Sequence, residues 1–280
     1  MNKRRITFFL FLTFLLTWVI EIPAALASYG FVNIKVPHGL QTIATLSPGI
    51  IALLMIMVYD GRVGLQRLLQ QVIKFRVSFG WYAFVLLTGS LLAGLSFLIY
   101  NLAWNQNCKV EPLYNLFFYS LIFLFFSPLW EEIGWRGYLL PRMQERFSPI
   151  KSALIIGFVW GIWHLPIYLA INPYGDKTIL FFIFVFIGCF PISIIQTWIY
   201  NSTKGNILLC ILFHDGINAG ISYFFINLPP MEFIPFIITT GLLICLASVI
   251  YFHTRGRLGG EIALSGAKSQ LPLPKSENIE

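Results

Sequence analysis

The chain has 280 residues, 57% hydrophobic and 17% aromatic, with only 11% charged and a formal net charge of +7. Soluble domains carry about 25% charged residues, so a water-soluble globule is excluded for want of polar surface. The positive charge does not point to nucleic acid, because no long aqueous segment exists to hold a basic groove.

Mean hydropathy is +0.75, and the apolar residues fall into eight runs. They cover roughly 6–28, 41–59, 80–101, 113–130, 151–171, 178–200, 206–227 and 232–253, each close to the ~20 residues that cross ~30 Å of hydrocarbon. The first run follows MNKRR and contains a faint cleavage-like Ala25-Leu26-Ala27, but its apolar core is too long for a usual signal sequence. It reads as a retained anchor. Glu21 within it belongs either at the outer interface or turned into the bundle.

Between the second and third runs, GRVGLQRLLQQVIKFR (61–76) places apolar and basic residues at helical spacing. That pattern fits an amphipathic helix on the cytoplasmic interface. Basic residues sort by loop. Those at 3, 4, 5, 62, 67, 74, 76, 136, 142, 146, 151, 204, 255, 257, 268 and 275, 16 of the 19, fall on one side, against Lys35, Lys109 and Lys177 on the other. Eight crossings with both termini in the cytoplasm satisfy this division. The setting is a bilayer, most simply a bacterial plasma membrane. Cys108, Cys189, Cys210 and Cys245 form neither a CxxC metal site nor a disulfide framework. No internal repeat is evident. Residues 1–260 read as a single integral-membrane domain, and 261–280 as a flexible cytoplasmic tail. The expected fold is all-α: a polytopic transmembrane helix bundle of about eight spans with short amphipathic cytoplasmic helices.

Three polar clusters interrupt the apolar runs. In the first, Glu131-Glu132-Ile-Gly-Trp-Arg136, the second glutamate lies four residues before the arginine and can pair with it on one helical face. Glu131 points about 100° away. It has no intrahelical cation and is free to face a different cavity, as a general base must. In the second, Trp160-Gly-Ile-Trp-His164, the indole of Trp160 can wall the imidazole. In the third, His214 and Asn218 are four apart and project together as a donor pair suited to an oxyanion. Charged and titratable groups at membrane depth are functional-site candidates by default. Gly134, Gly137, Gly157, Gly161, Gly216 and Gly220 would let helices approach closely around such a site.

Two chemistries remain open on these residues. Glu131, His164 and His214 are enough to hold a zinc ion, which would polarise water while Glu131 takes its proton. Alternatively Glu131 and His164 activate water directly, while His214 and Asn218 stabilise the oxyanion. Neither HExxH nor HxxEH spacing is present, and that favours the metal-free route. A transporter also hides Glu and His at midplane, but would carry paired broken helices or repeats.

Taken in order, the three clusters resemble the motifs of the CAAX protease and bacteriocin-processing family of membrane peptidases, also called the Abi family. EExxxR matches Glu131, Glu132 and Arg136; Phe/Trp-xxx-His matches Trp160 and His164; HxxxN/D matches His214 and Asn218. The likeness spans about residues 112–225. It implies an intramembrane endopeptidase acting on membrane-associated peptides or proteins, lipidated ones among them, because eukaryotic members remove the C-terminal tripeptide of prenylated CAAX proteins. Bacterial members are linked to bacteriocin maturation and self-immunity, so a non-proteolytic immunity or scaffold protein is the alternative. The resemblance implies Glu131 as water-activating base beside His164, His214 and Asn218 on the oxyanion side, and Glu132 with Arg136 in support. The family is commonly named a metalloprotease.

Overall fold

The computed structural model describes residues 3–229 and 232–260, and the expected tail at 261–280 lies outside them. All regular structure among the described residues is helical. In hydrocarbon each backbone N–H and C=O must be satisfied within its own segment, which a helix does. The order is α1 (Lys3–Ser28), α2 (His38–Thr45), α3 (Ser47–Tyr59), α4 (Gly61–Val72), α5 (Phe79–Ala103), α6 (Leu113–Phe126) and α7 (Pro128–Glu132). A π-helix (Ile133–Leu139) then leads to α8 (Leu140–Gln144), α9 (Pro149–Trp163), α10 (Leu165–Ile171), α11 (Thr178–Ser202), α12 (Ile207–Phe225) and α13 (Ile234–Thr254).

Six helical segments are long and apolar enough to cross a membrane, and the number is eight if each of two bent pairs is one span. The chain is therefore an integral-membrane helical bundle. The bent pairs are α2 with α3, at 56°, and α6 with the helix running from α7 to α8, at 43°. These fall on the runs at 41–59 and 113–130. The second continues well past its expected end, which corrects one reading of the charges. Arg136, expected in a cytoplasmic loop, is fully buried within the helix that extends this span. The other basic residues keep their asymmetry without it.

α12 is the most enclosed span, packed against α5, α6 and α11. Its approach to α5 needs glycine on both sides: a Cβ on Gly89 would sit 2.4 Å from the Gly216 backbone carbon. On α1, Phe9, Thr13, Thr17 and Glu21 recur every four residues and form one buried stripe. Glu21 is thus turned into the bundle. Thr17 accepts from the Trp163 indole at 2.8 Å and donates to the Ala44 carbonyl at 3.1 Å, tying α1 to α9 and α2. α4 is the expected amphipathic helix, with Leu68 buried and Arg62 and Arg67 exposed. All four cysteines are free.

Candidate active site

The glutamates and His164 stand where regular helix is interrupted, whereas the groups from α12 lie within an unbroken helix. Pro128 crowds the residue before it, and Ser127 leaves helical conformation at φ −142°, ψ −77°. The chain bends there, and the one-turn α7 that follows carries Glu131 and Glu132. The π-helix begins directly after Glu132, and such segments concentrate at functional sites. His164 sits at the junction of α9 and α10, where Pro166 cannot donate the next helical hydrogen bond. His214 and Asn218 lie one turn apart on α12.

Glu131 is 2% exposed. The Ser127 hydroxyl donates to its Oε1 at 2.6 Å, and the Trp160 indole N–H donates to its Oε2 at 2.6 Å. His164 Nε2 is 3.9 Å from that same Oε2. The other ring nitrogen of His164, Nδ1, lies 3.0 Å from the Trp160 carbonyl. A carbonyl only accepts, so Nδ1 carries a proton, and Nε2 is the nitrogen that faces Glu131; in the neutral ring that nitrogen is an acceptor.

The second half of the site is a charged triad. Arg136 Nη1 is 3.1 Å from the Glu132 carboxylate, with both side chains fully buried. His214 Nδ1 approaches Glu132 Oε1 at 2.9 Å. The Trp160 indole joins the halves: it lies under the Arg136 guanidinium at 5.1 Å and between the rings of His164 and His214, at 5.5 and 5.2 Å. Desolvating a carboxylate and a guanidinium is expensive unless they are paired and further hydrogen-bonded. Here Glu132 meets both Arg136 Nη1 and His214 Nδ1, while Arg136 Nε and Nη2 are buried without a hydrogen-bond partner.

Glu131, His164, His214 and Asn218 all line one cavity of about 510 Å³. Its remaining wall is largely apolar, with Ile122, Phe123 and Phe126 from α6, Ile167 from α10, and Phe236 and Leu243 from α13. The structure thus brings together all six residues singled out in the sequence. It also adds three contacts that sequence reasoning missed. Ser127 holds Glu131, with a serine one turn upstream as the only local signal. Trp160 donates to Glu131 as well as walling His164. Ser120 of α6 hydrogen-bonds Asp215, the neighbour of His214.

The donors do not fit a metal ion. Among the described residues no three His, Cys, Asp or Glu side chains gather as they would around one. Both Glu131 oxygens already accept hydrogen bonds, and His214 turns Nδ1 to Glu132.

Residues 113–220, the stretch that carries every one of these groups, match the family model of the type II CAAX prenyl endopeptidase Rce1-like proteins. This part of the chain is similar to the CAAX prenyl endopeptidase-like family. A CAAX prenyl protease 2 of Methanococcus maripaludis is 30% identical over 139 residues, 48% of this chain and 49% of the relative. The chain thus spans about half the length of the curated relative it matches. The match begins at the start of α6 and ends within α12, so the family likeness and the cavity coincide.

Proposed function

We propose that this protein is an intramembrane endopeptidase that hydrolyses peptide bonds of membrane-associated peptides or proteins. The observation that carries this reading is the facing pair in the cavity wall, Glu131 Oε2 and His164 Nε2 at 3.9 Å. Polar atoms at that separation are spaced to share a water. Such a water would donate one hydrogen to each and present its oxygen lone pair to the cavity. As the oxygen attacks a scissile carbonyl carbon, Glu131 takes the proton. The carbonyl oxygen becomes an oxyanion, and Asn218 Nδ2 and His214 Nε2 are its donors. For Nε2 to donate, His214 carries both ring protons, and the Glu132 carboxylate balances that charge. The C–N bond then breaks, Glu131 returns its proton to the leaving amine, and the carbonyl fragment leaves as a carboxyl group. The likeness to the CAAX prenyl endopeptidase-like family supports the reaction type. The apolar wall supports a substrate that enters from the bilayer.

Cleavage of membrane peptides in reconstituted vesicles tests the reading. Glu131→Gln keeps the shape and removes the proton acceptor, so it is expected to abolish turnover in protein that remains folded. Near-normal turnover by this variant would remove Glu131 as the base.

A further inference from the structure

Ser127 occupies the position just before a helix, where a serine side chain ordinarily accepts a hydrogen bond from a backbone N–H of the first turn. It does not do so here. Its main-chain carbonyl accepts from the Trp130 and Glu131 N–H groups at 3.1 and 3.0 Å, and the hydroxyl is left for another partner. That partner is the Glu131 carboxylate, at 2.6 Å. Glu131 Oε1 takes this hydroxyl and Oε2 takes the Trp160 indole, so the carboxylate is gripped from two sides. One donor alone would let the carboxylate turn about its terminal torsion, which is broad and soft. Two donors, one at the bend before α7 and one on α9, leave one orientation, with Oε2 facing His164.

We infer that Ser127 is a positioning residue for the reaction: it locks the rotation of the Glu131 carboxylate so that the oxygen beside His164 is held ready for the attacking water. The inference rests on the hydrolase reading for its catalytic consequence, but the hydrogen bond itself does not. Serine is suited to the task because Pro128 bends the chain at this point and aims the hydroxyl along the α7 turn. Only a difference between ground and transition state enters the rate, so the expected effect is one of positioning, and misplacement of a reacting group can cost about 100-fold. The effect belongs on kcat, since Ser127 orients the base and leaves the apolar wall intact.

Two measurements test this on the purified full chain. First, Ser127→Ala is expected to lower kcat by up to roughly 100-fold with KM unchanged, and Ser127→Thr, which keeps the hydroxyl, to recover most of the rate. An unchanged kcat in the alanine variant, or equal losses in alanine and threonine, would overturn the inference. Second, difference infrared spectra read the carboxylate stretch without any turnover. The change produced by Ser127→Ala should disappear when it is made in a Glu131→Gln background. If both backgrounds give the same difference spectrum, the hydroxyl does not bond Glu131 and the inference fails. A Glu131-dependent band in a wild-type protein that cleaves none of the membrane peptides would instead sink the hydrolase reading, and with it the catalytic role of Ser127.

Discussion

Trp160 holds the two halves of the site in register. Its indole N–H secures Glu131, its carbonyl fixes the His164 tautomer, and its ring lies between both imidazoles and under Arg136. Around it the adjacent glutamates have separate duties. Glu132 bonds Arg136 and His214 in a fully buried triad. Breaking a buried pair strands the remaining charge at a cost of about 3–5 kcal/mol. Glu132→Gln is therefore expected to reduce the detergent-resistant folded fraction sharply, where Glu131→Gln does not; equal folded yields would show that the triad has no structural role. Asn218 gives the complementary case. As an oxyanion donor, its removal should cost roughly 2.7–4 kcal/mol of transition-state stabilisation, a 10²–10³-fold loss in kcat. Asn218→Ala with an unchanged rate per folded molecule would take that residue out of the site.

At the scale of elements, the helix bearing the glutamates is clamped against α3. Gly134, in the π-helix, lies so close to Pro48 that a Cβ there would come within 2.5 Å of the proline Cβ and 2.7 Å of its backbone. α3 would have to move away, and overpacking of this kind costs about 1–3 kcal/mol. Gly134→Ala should accordingly lower the midpoint of thermal unfolding in detergent. Gly241→Ala on α13 is the control, since a Cβ there meets nothing within 4 Å, and alanine favours helix over glycine by about 1 kcal/mol. Equal midpoints in the two variants would mean that α3 yields freely. On the other side of the bend, α6 has no buried residue and packs chiefly against α12. Its Phe117 and Phe118 are exposed, as a helix bordered by lipid allows, while Ile122 and Phe126 line the cavity.

For the whole molecule, the distribution of basic residues leads us to propose that both ends of the chain face the cytoplasm. Topology reporters fused at Met1 and at Glu280 should both give the cytoplasmic signal. An external signal from either would break the even number of crossings and require that one bent pair fail to span. The bends at Leu46 and Ser127 are therefore the places where the eight-span arrangement is most exposed to test.

Length and hydropathy by themselves marked six of the runs as helices long enough to cross, because a bilayer imposes one length on every crossing helix, and left the bends in the other two to the packing. The Glu132–Arg136 pair was legible for a similar reason: partners four residues apart meet on any helix, and here they do so even across the start of a π-helix. The ordered motifs picked out Glu131, His164 and His214, which line one cavity. The tertiary structure alone decided how these residues face each other. Trp160 reaches Glu131 across 29 positions, His214 reaches Glu132 across 82, and Ser120 reaches Asp215 across 95. Helical periodicity states which residues share a face but not which neighbour that face meets, since helix rotation and depth are set by packing. Arg136 shows the same limit. An arginine after an apolar run reads as a loop cation, and only the continuation of the helix past the bend places it inside the bundle.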